Sequence, residues 1–181
     1  MRTGFGILAL AILLGLAGLS GCGSGNGAGQ DLSSEAKSLV AGNNAFALEL
    51  HGRLKGTNQN LFFSPYSISE CLAMSYAGAR GNTGKQIGQV LHFGTNGVHS
   101  AFRELRRGLK QATVRKGIEL DVANGMWAQK RQPLLPAFTD ILRQDYEAEA
   151  RQVDFASEAG PVTKRINEWV SEKTKGKLVS V

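Results

Sequence analysis

Residues 60–94 read NLFFSPYSISECLAMSYAGARGNTGKQIGQVLHFG, and the reading of the whole chain starts from them. Leu61-Phe62-Phe63 is a short apolar run with the length and aromatic content of a buried strand. Ser64 then offers a hydroxyl that can accept from an early free backbone N–H, which makes it a good helix N-cap. Pro65 suits the first helical position, where its missing N–H costs nothing. From 68 to 79 the predicted helix is apolar or small nearly all round: Ile68, Cys71, Leu72, Ala73, Met74, Tyr76 and Ala77. A helix without a polar face needs enclosure by other elements. Gly78 and Gly81 punctuate its end. Thr83 and Gln86 have capping-box spacing and predict a second helix with Ile87, Val90 and Leu91 on one face.

A core strand running into a central buried helix, with an outer helix behind it, resembles the corresponding part of the serpins. The family pattern N-[LIV]-[FL]-[FIV]-S-P-x-S-[IL]-x-x-x-L-A-M, followed by G-A-x-G-x-T-x-x-[EQ]-[IL], is matched without a gap. Further on, Ile166-Asn167-Glu168-Trp169-Val170 and Thr174-Lys175-Gly176-Lys177-Leu178 resemble the serpin run I-N-x-W-V-x-x-x-T-x-G-K-[IL]. The resemblance covers residues 33–181. It implies an α+β serpin fold, N-terminal part only, with about five to six helices, strands of an incomplete main sheet and one core strand.

The 181 residues suit about one domain, and 42% hydrophobic content is ordinary for a globular chain. The net charge of +6 is modest and spread along the chain, which fits a solvated basic surface and no nucleic-acid partner. Two cysteines, Cys22 and Cys71, make no disulfide framework and no CxxC pair.

The N-terminus reads as a targeting segment. Arg2 precedes an apolar run over 5–19 that is shorter than the ~20 residues needed to cross a bilayer. Leu19-Ser20-Gly21-Cys22 looks like a bacterial lipobox. Residues 1–21 are then a leader, Cys22 carries the lipid, and residues 22–32 are a Gly/Ser-rich tether to the structured region 33–181. The other reading is an uncleaved anchor with an incidental cysteine. The expected localisation is extracytoplasmic, lipid-anchored to a membrane.

Along the rest of the chain, Ser33 or Ser34 caps a predicted helix with Leu39, Asn43, Phe46, Ala47, Leu50 and Leu54 at helical spacing. Another helix, over 98–113, places Phe102, Leu105, Leu109 and Ala112 inward and Arg103, Arg106, Arg107 and Lys110 outward. The matching serpin helix binds sulfated polysaccharide in some members; a plain solvated basic face is the simpler reading. From 117 to 129 the period changes to two, and Ile118, Leu120, Val122, Asn124 and Met126 form one column of a strand. Asn124 is its polar member, and a buried amide needs hydrogen-bond partners. By resemblance, Ser64, Ser67 and Asn124 match a polar cluster, the shutter, under the serpin main sheet. Without the resemblance they are a capping serine and a satisfied asparagine. A helix over 133–146 presents Phe138, Ile141, Leu142 and Tyr146. Val153 and Phe155 mark a short strand. Gly160-Pro161 opens a last helix with Val162, Ile166, Trp169 and Val170 on one face. In serpins this helix, here carrying Asn167 and Trp169, lies across the sheet and yields when the sheet opens.

No catalytic constellation, metal motif or cofactor loop is present. His51, His92 and His99 are scattered, there is no HExxH, and 79–86 departs from the phosphate-loop pattern at both ends. Cys71 sits in an apolar helix, where thiols are usually inert. The chain is therefore not read as an enzyme. The resemblance implies a suicide inhibitor of serine or cysteine proteases whose reactive loop inserts into the main sheet. That loop is expected outside these residues, so residues 22–181 alone are expected to be unstable and to inhibit nothing. A non-inhibitory or degenerate surface lipoprotein is the alternative.

Overall fold

A computed structural model describes residues 7–15, 31–56, 60–116, 120–131 and 133–180. Six α-helices are α1 (Ser34–Leu54), α2 (Pro65–Gly78), α3 (Gly81–Val90), α4 (Val98–Lys116), α5 (Pro136–Tyr146) and α6 (Ala159–Lys173). Strands β1 (Ile7–Gly15), β2 (Leu120–Gln129) and β3 (Glu149–Val153) form one sheet in the order β1-β2-β3. β1 pairs with β2 antiparallel and β3 pairs with β2 parallel. The predicted α+β architecture is present. The apolar run expected to be a leader supplies β1.

The helix starts follow from local chemistry. Ser33 accepts from Ala36 N at 3.1 Å and caps α1. Its own N–H and hydroxyl reach the Glu104 carboxylate at 2.8 and 2.6 Å, which pins the start of α1 to α4. Ser64 caps α2 by accepting from Ser67 N, with Pro65 at the first position, as the sequence predicts. α5 begins at Pro136 and not at 133, because a residue before proline is held extended and Leu135 adopts that conformation. α3 begins at Gly81, before the predicted capping box. Gly81 turns the chain with φ +57°, and Arg80 at the N-cap makes no side-chain cap bond. Thr83 and Gln86 lie within the helix.

Side chains alternate across β2, so the sheet is covered on both faces. On one face, Met126 joins Ala36, Leu39, Ala73, Met74, Phe102, Leu142 and Tyr146 from α1, α2, α4 and α5. On the other, Trp127 and Val153 pack under Val162, Ile166, Trp169 and Val170 of α6. The helices, the sheet and α6 make three layers.

Three expectations fail. Residues 61–63 form no strand: no described segment pairs with them, and a strand cannot be satisfied alone. Phe62 is fully exposed and Leu61 is 40% exposed. Nor is α2 enclosed all round. Ala73, Met74 and Ala77 are buried, but Leu72 is exposed and Ile68 and Cys71 are half-buried. The C-terminal half of α4 likewise runs past the core, leaving Leu109 and Ala112 exposed. Ile118 and Cys22 lie outside the described residues.

Candidate functional site: the β2 edge and the residues around it

β2 is the structural centre, and each face of it carries a distinct device. Asn124 points to the helical side. It is buried and donates from Nδ2 to the Tyr146 carbonyl at 3.4 Å, while its Oδ1 has no hydrogen-bond partner among the described residues. The tie therefore runs from β2 to the last residue of α5. Ser67 Oγ donates to Ser64 Oγ at 3.0 Å. The structure joins the two serines to each other at the start of α2 and joins Asn124 to α5.

On the opposite face, Trp127 and Trp169 meet edge to face, with ring centroids 4.9 Å apart and planes at 82°. Such a pair adds about 0.5–1.5 kcal/mol beyond its buried area. Trp169, on the predicted apolar face of the last helix, thus helps to hold α6 on the sheet. Gly125 lies under both rings. A Cβ there would stand 2.5 Å from Trp127 Cη2 and 3.2 Å from Trp169 Cη2. Gly125→Ala should therefore cost about 1–3 kcal/mol by overpacking, read from the denaturant midpoint; an unchanged midpoint would contradict the contact. The end of α6 is tied down too. Lys175 reaches Asp121 of β2 at 3.1 Å, and buried Thr174 accepts from Leu178 N at 3.0 Å. Asn167 is half-buried on α6 and lines a shallow groove with Lys164, Ser171 and Val179.

The basic residues of α4 divide. Arg107 and Lys110 are exposed, and Arg103 pairs with Asp145 at 3.3 Å. Arg106 was expected outward and is instead buried, its side chain only 9% exposed. It donates to Glu70 Oε1 at 3.0 Å and to Glu147 Oε2 at 3.2 Å. Burial pulls the guanidinium down, but Glu70, Glu147 and Tyr66 together hold it above its ordinary value. Glu70 is wholly buried, and Tyr66 Oη also donates to it at 3.3 Å. Sequence reading passed over Glu70. The available signal was a lone carboxylate on an otherwise apolar helix, which demands a buried partner. Burial, then the Glu70 charge, pushes the Cys71 thiol up to about 11, so it is not a nucleophile at neutral pH.

His99 was also missed as a structural group. Its Nδ1 lies 2.7 Å from Tyr146 Oη, and its ring stacks edge-on against Tyr146. Burial lowers its pKa below 6.5, opposed by Asp145. Below pH 6.5 the unfolded chain binds more protons at this site than the folded one, so stability falls as pH falls through that range. His99→Gln should flatten the pH dependence of the unfolding midpoint between pH 7.5 and 5.5. An identical slope in the variant would contradict it. Among the described residues, no group of three or more His, Cys, Asp or Glu side chains could hold a metal ion, and no helix is long and apolar enough to cross a membrane.

Comparison with known proteins settles what this arrangement is part of. The model of the family described as serpin, serine protease inhibitor, matches residues 41–181. The chain belongs to the serpin family. A leukocyte elastase inhibitor of Xenopus tropicalis is 40% identical over 139 residues, covering 75% of this chain and 37% of that protein. An uncharacterised serpin-like protein of Thermococcus kodakarensis is 36% identical over 147 residues, covering 80% and 34%. Among solved structures, Arabidopsis AtSerpin1 in its native stressed conformation superposes with TM-score 0.69 at 29% identity, covering 82% of this chain and 39% of that one. Emu ovalbumin superposes with TM-score 0.68 at 26% identity, covering 78% and 40%. This serpin chain spans 37% and 34% of the length of those two curated relatives.

Proposed function

We propose that the protein works as a serpin-type inhibitor of serine or cysteine proteases, acting on the outer side of a membrane to which a lipid on Cys22 anchors it. The observation that carries this reading is the family match over 41–181, within which α6 sits on the sheet through Trp127 and Trp169. Inhibition by loop insertion needs a sheet that parts to admit a strand and a covering helix that yields. Asn124 and the Ser64–Ser67 pair then govern the parting from the helical side, and Trp169 sets the resistance of α6. Relatives of this chain named as leukocyte elastase inhibitors point to the same partner class.

Protein expressed from the complete reading frame should abolish the activity of at least one serine or cysteine protease at a roughly equimolar ratio. Undiminished activity across a broad panel would move the reading to a non-inhibitory surface lipoprotein. For the anchor, Cys22→Ser should release the protein from the membrane fraction into the medium, because acyl chains contribute about 0.8 kcal/mol per buried CH₂ to membrane attachment. Unchanged membrane association would refute the lipid.

A further inference from the structure

We infer that α4 clasps the end of α5 through three consecutive residues, Asp145, Tyr146 and Glu147, and that protonation of His99 loosens the clasp and with it the Tyr146 carbonyl that positions Asn124 on β2. His99, Arg103 and Arg106 stand at i, i+4 and i+7 of α4 and so share one helix face. Each takes one partner from the corner. Tyr146 Oη lies 2.7 Å from His99 Nδ1, Asp145 Oδ1 3.3 Å from Arg103 Nε, and Glu147 Oε2 3.2 Å from Arg106 Nη2. Glu147 is left-handed with φ +48°, and the amides of Glu147 and Ala148 both turn back to the Leu142 carbonyl. A non-glycine residue keeps that conformation where its surroundings hold it. Tyr146 is gripped at both ends, its hydroxyl by α4 and its carbonyl by Asn124 Nδ2. Every one of these contacts lies within 99–148, inside the family match.

His99 is the member of the clasp that titrates near neutral pH. Tyr146 is wholly buried, and its hydroxyl has no other hydrogen-bond partner among the described residues. Its proton therefore goes to Nδ1, which carries a lone pair only while the ring is neutral. On protonation the bond is lost or reversed. The ring lies between Tyr76 of α2 and Tyr146 of α5, at centroid distances of 5.8 and 5.7 Å. Asp145 favours the charged ring but is shared with Arg103, one turn on along α4. Arg80 and Lys85 line the same groove from the α3 side and disfavour it, as does His92, itself paired with Glu49, once protonated. Burial outweighs Asp145 and keeps the ring neutral at pH 7. An opening that frees His99 returns it to its ordinary value near 6.5, so it takes up the proton that the closed clasp refuses. Such an opening gains up to about tenfold in population between pH 7.5 and 5.5.

Faster parting of the sheet in acid follows only where the inhibitor reading holds; the clasp is tested without it. Nuclear magnetic resonance on protein expressed from the complete reading frame follows hydrogen exchange at pH 7.5 and 5.5. The reporters are the Asn124 side-chain amide protons and the backbone amides of Glu147 and Ala148, each rate divided by its intrinsic rate at that pH. The expected result is a severalfold loss of protection at these groups at pH 5.5, up to about tenfold. His99→Gln keeps an acceptor that does not titrate, so its protection should stay near the parent's pH 7.5 value at both pH values. Tyr146→Phe keeps the ring and lacks the hydroxyl, so protection of the corner should be low at both. Equal protection of the parent at the two pH values overturns the proposal, as does a pH-dependent loss that persists in His99→Gln. A loss confined to the most protected core amides overturns it too, because His99 is then freed by global unfolding alone. A protein that inhibits no protease would leave this measurement unchanged, so the two readings fail separately.

Discussion

Glu70→Ala should destabilise the chain by about 3–5 kcal/mol, because it strands a buried cation. The Glu70 side chain has no solvent exposure, and its partner Arg106 is 9% exposed. Without Glu70, the one ion-pair partner left to Arg106 among the described residues is Glu147, which is 61% exposed and itself left-handed with φ +48°. The pair links α2 to α4, and Glu147 extends the link to the corner between α5 and β3. The cost belongs to the orphaned charge and not to the net worth of the pair, and a double variant separates the two. Glu70→Leu with Arg106→Met replaces both ions by apolar groups of similar size and should be near neutral or stabilising. Denaturant unfolding of the three proteins decides it. A loss under about 1 kcal/mol for Glu70→Ala would mean that the pair is hydrated and not buried.

Trp169→Ala should cost about 3–5 kcal/mol, the usual loss for removing a buried aromatic side chain. Trp169 is 5% exposed and Trp127 is 2% exposed, and they are the two tryptophans of the chain. Their emission therefore reports the α6–β2 contact without interference. The remaining Trp127 should emit at longer wavelength in the variant, because its face opens to water where Trp169 lay. An unshifted spectrum with a small stability loss would place α6 off the sheet. If α6 resists sheet opening, the same substitution should also speed strand insertion, so stability and inhibition rate would move in opposite directions.

What could be read from the sequence was what local chemistry decides. Ser64-Pro65 starts α2 because a cap and a proline act on their own backbone. The α6 face of Val162, Ile166, Trp169 and Val170 is visible as a helical period, and all four are buried. The failures share one cause, which is dependence on a distant partner. Leu61-Phe62-Phe63 has strand composition, but no described strand lies beside it. Arg106 sits among basic neighbours on α4, and nothing within that helix announces a carboxylate arriving from α2. Asn124 could be marked as a buried amide, yet its partner is a backbone carbonyl, which leaves no trace in sequence. Gly125 looks unremarkable until two indole rings are placed over it. The start of α3 was misplaced because a positive φ at Gly81 opens the helix before the residues that would cap it.

The central claim is that this sheet is built to admit a strand on behalf of a protease inhibitor. The most direct measurement mixes protein expressed from the complete reading frame with each member of a panel of serine proteases and runs the mixtures on a denaturing gel. The account predicts a covalent adduct that survives boiling in SDS, forming more slowly in a variant that locks α6 to β2 through a disulfide. Inhibition that leaves only free protease and free inhibitor on that gel would contradict it.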